Sequence, residues 1–167
     1  ILADMLKGRT YPGVLAFAWA FVDVRDVAEA HVVAMDHPNA AGRYLCAAPA
    51  RSMREVVDLL RANGFGSSKL PSLPMDNAVG TALVRLSAFL QPDGLASYAR
   101  THIGRTPHYS TDKIERELGY AFRDTTSTLI ETAEDLPHIE AVERFIGQKI
   151  ERVKLPGFNY QYSTVLD

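Results

Sequence analysis

Apolar positions along this chain fall into short runs and helical stripes, and the change from one to the other sets out its elements. Ile1, Leu2, Met5 and Leu6 share one face of a helix end that Gly8 stops. Arg9 to Gly13 is a turn around Pro12. Val14 to Val24 is rich in aromatic and β-branched residues and reads as one or two strands. Val27, Ala30, His31 and Ala34 then repeat at helical spacing, with Asp26 the expected N-cap and His37-Pro38-Asn39 the end. Arg43 to Ala48 is a continuous apolar run, the pattern of a buried parallel strand. Ser52 and Glu55 spell a capping box for a helix carrying Val56, Leu59 and Leu60.

A Ser- and Pro-rich loop over 66–74 leads to Asp76, the expected cap of a helix with Val79, Leu83, Leu86 and Leu90 in one stripe. Pro92 and Gly94 are expected to end that helix. After an unassigned stretch, Ser110 or Thr111 opens a short helix ending at Leu118, with Gly119 as its left-handed cap. Thr125 to Leu136 forms an amphipathic helix that Pro137 interrupts. A second follows, with Ile139, Val142, Phe145, Ile146 and Ile150 on its apolar face. Leu155 to Tyr162 reads as an extended aromatic segment. The expected fold class is α/β, with a parallel strand among few strands and a mostly helical remainder.

Composition narrows the function classes. The 167 residues are 47% apolar and carry a formal net charge of −2, so bulk electrostatics favours neither nucleic acid nor an anionic membrane. No apolar run reaches the roughly 20 residues that span a bilayer. The single cysteine, Cys46, cannot form an internal disulfide and fits a reducing compartment, so a cytoplasmic location is expected. Ile1 is not a natural start, and the chain reads as a fragment or a processed product.

Candidate chemistry is sparse. His31, His37, His102, His108 and His138 lack ligand spacing, so no metal site is expected. Cys46 reads as a small core residue, and no Gly-x-Ser-x-Gly occurs. Tyr109 and Lys113 are spaced as Tyr-x-x-x-Lys, in which a lysine on the same helix face lowers a phenol's pKa. Pro107 and the cap at 110–111 place Tyr109 outside the helix of Lys113, so no catalytic residue is assigned. Asp23, Arg25, Asp26 and His31 form a charged cluster read chiefly as scaffold: an Asp23–Arg25 pair, a cap and a packed histidine. Met75, Leu83, Leu86 and Phe89 are core residues or an apolar pocket wall.

Phe21 to His31, Asn39 to Ala47, Ser52 to Leu60 and Pro107 to Tyr120 together resemble the extended short-chain dehydrogenase/reductase family. The nearest branch holds dihydroflavonol and cinnamoyl-CoA reductases. The resemblance continues to about Leu136 and covers only the C-terminal half of such a reductase, which implies a partial Rossmann-like parallel sheet of few strands with a mostly helical substrate-binding subdomain. It implies a pocket near Val22, Asp23, Arg25 and Met75 for the carbonyl of a small aromatic or acyl substrate. NADP or NAD serves the resembled family, but Gly-x-x-Gly-x-x-Gly occurs nowhere in this chain, so none is expected to bind this chain alone.

Leu136 to Ile150 and Leu155 to Phe158 instead resemble the end of the second core domain of DEAD-box RNA helicases, without any ATP-binding motif. The chain thus divides into a reductase-like part, 1–135, and a helicase-like tail, 136–167. Three readings follow: the inactive-alone substrate half of a reductase, a non-enzymatic recombined or engineered α/β domain, and, more weakly, an RNA-related module. The first two leave sheet edges and apolar faces open, so self-association or a missing N-terminal half is the expected partner, with no membrane and no nucleic acid.

Overall fold

The computed structural model describes residues 1–67, 69–90 and 93–147. Helix α1 (Leu2–Leu6) leads through a turn, with a cis Tyr11–Pro12 bond, into β1 (Gly13–Leu15) and β2 (Ala18–Ala20). Helix α2 (Val24–Asp36), β3 (Ala50–Ser52) and α3 (Met53–Ala62) follow. Then come β4 (Leu73–Met75), α4 (Ala78–Ser87), α5 (Asp93–His102), α6 (Asp112–Leu118) and α7 (Thr125–Ile146). The fold is α/β and predominantly helical, with a small parallel sheet. In that sheet β1 pairs with β4, Val14 opposite Pro74. A second sheet pairs β2 antiparallel to β3, Trp19 opposite Arg51.

The main core lies where α1, β1, α3 and α7 meet. Met5, Val14, Met53, Val56, Val57, Leu60, Leu129 and Ala133 are buried together there. Helix α3 earns its place through the capping box: Ser52 Oγ accepts from Glu55 N–H and Glu55 accepts from Ser52 N–H. A second cluster buries Ala30 of α2 against Ile114 and Leu118 of α6. Gly119 ends α6 at φ 65°, as its position predicted.

Several expectations change. Asp26 is not the cap of α2. Asp23 is, its carboxylate accepting Arg25 N–H at 2.8 Å, because the helix begins at Val24. Asp26 lies in the first turn and points inward. Residues 43–48 form no strand. Among them only Ala48 N–H bonds to another backbone group, Phe21 C=O at 2.9 Å. The apolar demand of that run is met by a helix: Tyr44 and Cys46 pack against Ile114 and Leu118. The strand in this region is β3, two residues further on.

Asn77, not Asp76, caps α4, accepting Gly80 N–H at 2.8 Å, because the Asp76 carboxylate is engaged by Arg54. The stripe of Val79, Leu83 and Leu86 faces solvent, the last 67% exposed. Helix α4 stops at Ser87, and Gly94 lies in the first turn of α5. Pro137 sits inside a continuous α7 and does not divide it, so the boundary expected between residues 135 and 136 falls within one helix. Pro92 and the aromatic segment 155–162 lie outside the described residues.

Candidate functional site

Three elements frame a groove. The β4–α4 junction gives Asp76 and Asn77, α4 gives Thr81, Arg85 and Leu86, and the loops after β1 and α5 give Ala16 and Gly104. Phe89 closes one end. The cavity measures about 640 Å³, and an adjoining one of about 270 Å³ is lined by Phe17, Arg54 and Arg105. These lie at and around the size of small-molecule sites.

Helix α4 can sit this close to β4 because Gly80 has no side chain. A Cβ there would run into the Met75 backbone. Across the groove, Gly104 adopts φ 73° and donates its N–H to Ala16 C=O at 2.7 Å, fixing the loop that carries Arg105. Arg85 reaches the same loop, donating to Ile103 C=O at 3.2 Å.

Beyond Phe17 lies an aromatic ladder. Phe17 stacks on Trp19 and on Tyr98, and Tyr98 stacks on His102 at 4.2 Å. Trp19 Nε1–H donates to Tyr98 Oη at 3.0 Å and ties β2 to α5. At the groove edge the Arg54 guanidinium holds the Asp76 carboxyl below its ordinary range, so this acid is already neutralised.

The residues that the resemblance implied for a substrate pocket are Val22, Asp23, Arg25 and Met75. Asp23 is buried, hydrogen-bonded to Arg25 Nε at 2.9 Å and to Thr128 Oγ1 at 2.8 Å. Its bonds to Arg25 hold it well below the carboxylate range. Arg25 also pairs with Glu131 at 2.9 Å, so this pair ties the start of α2 to α7. Val22 is partly buried on the approach to α2. Met75 is partly buried at the end of β4, its sulfur against Gly13, next to the groove residues Asp76 and Asn77. Leu86 and Phe89 line the groove, and Leu83 is exposed beside it.

The other polar clusters hold the scaffold. Asp26 accepts Tyr120 O–H at 3.0 Å and Arg123 N–H at 2.9 Å. Burial and the neighbouring Asp26 and Glu29 push the Tyr120 phenol well above its ordinary value. His31 is exposed, with one hydrogen bond to Val27 C=O, rather than packed. Tyr109 is 49% exposed and lies outside α6. Lys113 is not simply solvated: it donates to Ala41 C=O at 2.7 Å and sits over the Tyr44 ring. Cys46 is partly buried, and desolvation raises its thiol. Among the described residues no cluster could hold a metal ion, and no helix is long and apolar enough to cross a membrane.

A dinucleotide's pyrophosphate needs open amides at a strand–helix turn. The three such turns do not fit. The start of α2 is capped by the Asp23 carboxylate, that of α3 by Ser52 with Glu55, and that of α4 by Asn77 beside Asp76. At each of them a capping side chain already accepts a first-turn N–H.

Asn77, Thr81, Arg85 and Arg105 were not among the residues expected at a site. The signal for the first three was present: they recur every four residues, a polar stripe beside the apolar one.

No protein-family model matches the chain. It is 33% identical over 117 residues to cinnamoyl-CoA reductase 1 of Arabidopsis thaliana, covering 70% of this chain and 27% of that protein. It is 36% identical over 76 residues to tetraketide alpha-pyrone reductase 2 of the same plant, covering 46% of this chain and 21% of that protein. The crystal structure of gox2253 shares the fold, with a TM-score of 0.55 at 19% identity over 89% of this chain and 44% of that one. The matched part thus spans about a quarter of the length of these curated relatives. Over that part the chain is homologous to plant cinnamoyl-CoA and tetraketide alpha-pyrone reductases, which supports a short-chain reductase family.

Proposed function

We propose that this chain is the substrate-binding half of an NAD(P)-dependent short-chain reductase acting on the carbonyl of a small aromatic or acyl substrate. It is inactive by itself. The observation that carries this reading is the similarity to cinnamoyl-CoA reductase 1, which runs over 70% of the chain. The groove beside α4, lined by the apolar Leu86 and Phe89 and the polar Asn77, Thr81 and Arg85, suits an apolar group with a polar end. Met75 ends β4 next to the groove residue Asp76, and the Asp23–Arg25 pair fixes α2 against α7. NADP or NAD enters from polypeptide other than this chain, since the three strand–helix turns are closed to a pyrophosphate.

Calorimetric titration with cinnamoyl-CoA and with NADPH tests this. Saturable binding of the thioester without micromolar affinity for NADPH is the expected result. No thioester binding, or tight NADPH binding, overturns it.

A further inference from the structure

Proline has no backbone N–H. Pro137, inside α7, therefore cannot make the helical bond that residue 137 would give to the carbonyl four residues back, that of Ala133. Ala133 is 1% exposed, so bulk water does not replace the missing donor. A buried carbonyl in this position gains from any N–H or O–H that can reach it.

The same stretch of helix walls a cavity of about 210 Å³. Ala133, Leu136 and Pro137 of α7 line it together with Ala3 and Leu6 of α1 and with Phe65. Both ends of the broken helical bond, Ala133 and Pro137, are thus on its wall. Lys7, exposed at the end of α1, is the only charged residue along it among the described residues. A water held here would need two to four polar partners, and apart from Lys7 the lining side chains offer none. An apolar cavity of about 150 Å³ is enough to hold benzene, so this one has room for a ring with a substituent. It shares no residue with the α4 groove. It borders the main core, where Leu6 and Phe65 pack against the buried Ala133 cluster.

We propose that this cavity between α1 and α7 binds a small apolar ring carrying one hydrogen-bond donor. Leu6, Phe65 and Leu136 hold the ring, and the Ala133 carbonyl accepts the donor. Because the ligand touches both helices, it clamps α1 onto α7 and stabilises the folded chain by mass action.

Phenol and toluene test this, being nearly the same shape and differing in the hydroxyl. Each is titrated into the isotope-labelled whole chain, and shifts of the backbone amides report where it binds. Phenol is expected to move the amides of Ala3, Leu6 and Leu136 and to raise the thermal midpoint. Pro137→Ala restores an N–H to the Ala133 carbonyl. It should weaken phenol about tenfold and leave toluene within about twofold, while the variant itself melts higher than the parent. A merely structural role for Pro137 would move the midpoint without separating the two ligands. Ala3→Leu, at a half-buried position, fills the cavity and should remove the binding of both. Phenol held as tightly by Pro137→Ala as by the parent overturns the carbonyl contact. Phenol that moves none of the lining amides, or binding untouched by Ala3→Leu, overturns the site.

Discussion

Replacing Gly80 by alanine sets two physical effects against each other. By helix propensity alone, glycine to alanine inside a helix gains about 1 kcal/mol. The structure reverses the sign. A Cβ at residue 80 would lie 2.6 Å from Met75 Cα and from its carbonyl carbon, where ordinary contact begins at 3.4 Å. The obstacle is backbone, with the Met75 carbonyl oxygen nearer still, so no side chain can swing away and α4 must move off β4 by about 1 Å. Overpacking that shifts backbone costs about 1–3 kcal/mol, and a contact with no flexible partner lies at the upper end. The net expectation for Gly80→Ala is a loss of about 2 kcal/mol, or roughly 4–8 °C in Tm for a domain of this size. Urea unfolding followed by far-UV circular dichroism measures it. Ala28→Gly, at an exposed site in α2, serves as the control and should lose about 1 kcal/mol from propensity alone. A Gly80→Ala chain as stable as the parent, or more so, would refute the close approach of α4 to β4 and with it the shape of the groove.

Three further outcomes follow from packing and charge. Leu60 is fully buried among Met5, Val56 and Val57, so Leu60→Ala should cost about 2–5 kcal/mol in urea unfolding. Pro137 removes one donor from the middle of α7, so Pro137→Ala should raise the thermal midpoint and the helical signal at 222 nm, by about 1 kcal/mol or more. Asp23, Glu29, Glu55 and Asp76 all titrate below their ordinary values of 3.8 and 4.5, held there first by Arg25, Arg123, Ser52 and Arg54 respectively. Since the unfolded chain binds more protons in that range, this stability is present above about pH 5 and lost as pH falls toward 3. A urea midpoint that stays level between pH 5 and pH 3 would contradict these pairings.

What could be read from sequence followed the range of the physics. The Ser52–Glu55 box and the Gly119 cap depend on residues within one helical turn, and both are present as read. The α/β class needed only the sizes and order of the apolar runs. Asp23 and Asp26 could not be told apart locally, since either can begin a helix there. The choice falls to Thr128 and Glu131 of α7, which gather on the Asp23–Arg25 pair, and to Tyr120 and Arg123, which draw Asp26 inward. Residues 43–48 carry the pattern of a buried strand, but an apolar run asks only for an apolar neighbour. Here α6 supplies it, and no adjacent strand completes a ladder.

The same distinction decides what the site could reveal. The polar stripe of Asn77, Thr81 and Arg85 is a local periodicity, visible in the sequence once α4 is placed. What faces that stripe is set at long range, where Gly104 turns left-handed and bonds to Ala16. Net charge conceals such differences, because it sums over Arg54, which Asp76 pairs, and Arg105, which has no carboxylate partner among the described residues. In a chain whose carboxylates slightly outnumber its cations, function is better sought in the cations left without a carboxylate than in the total.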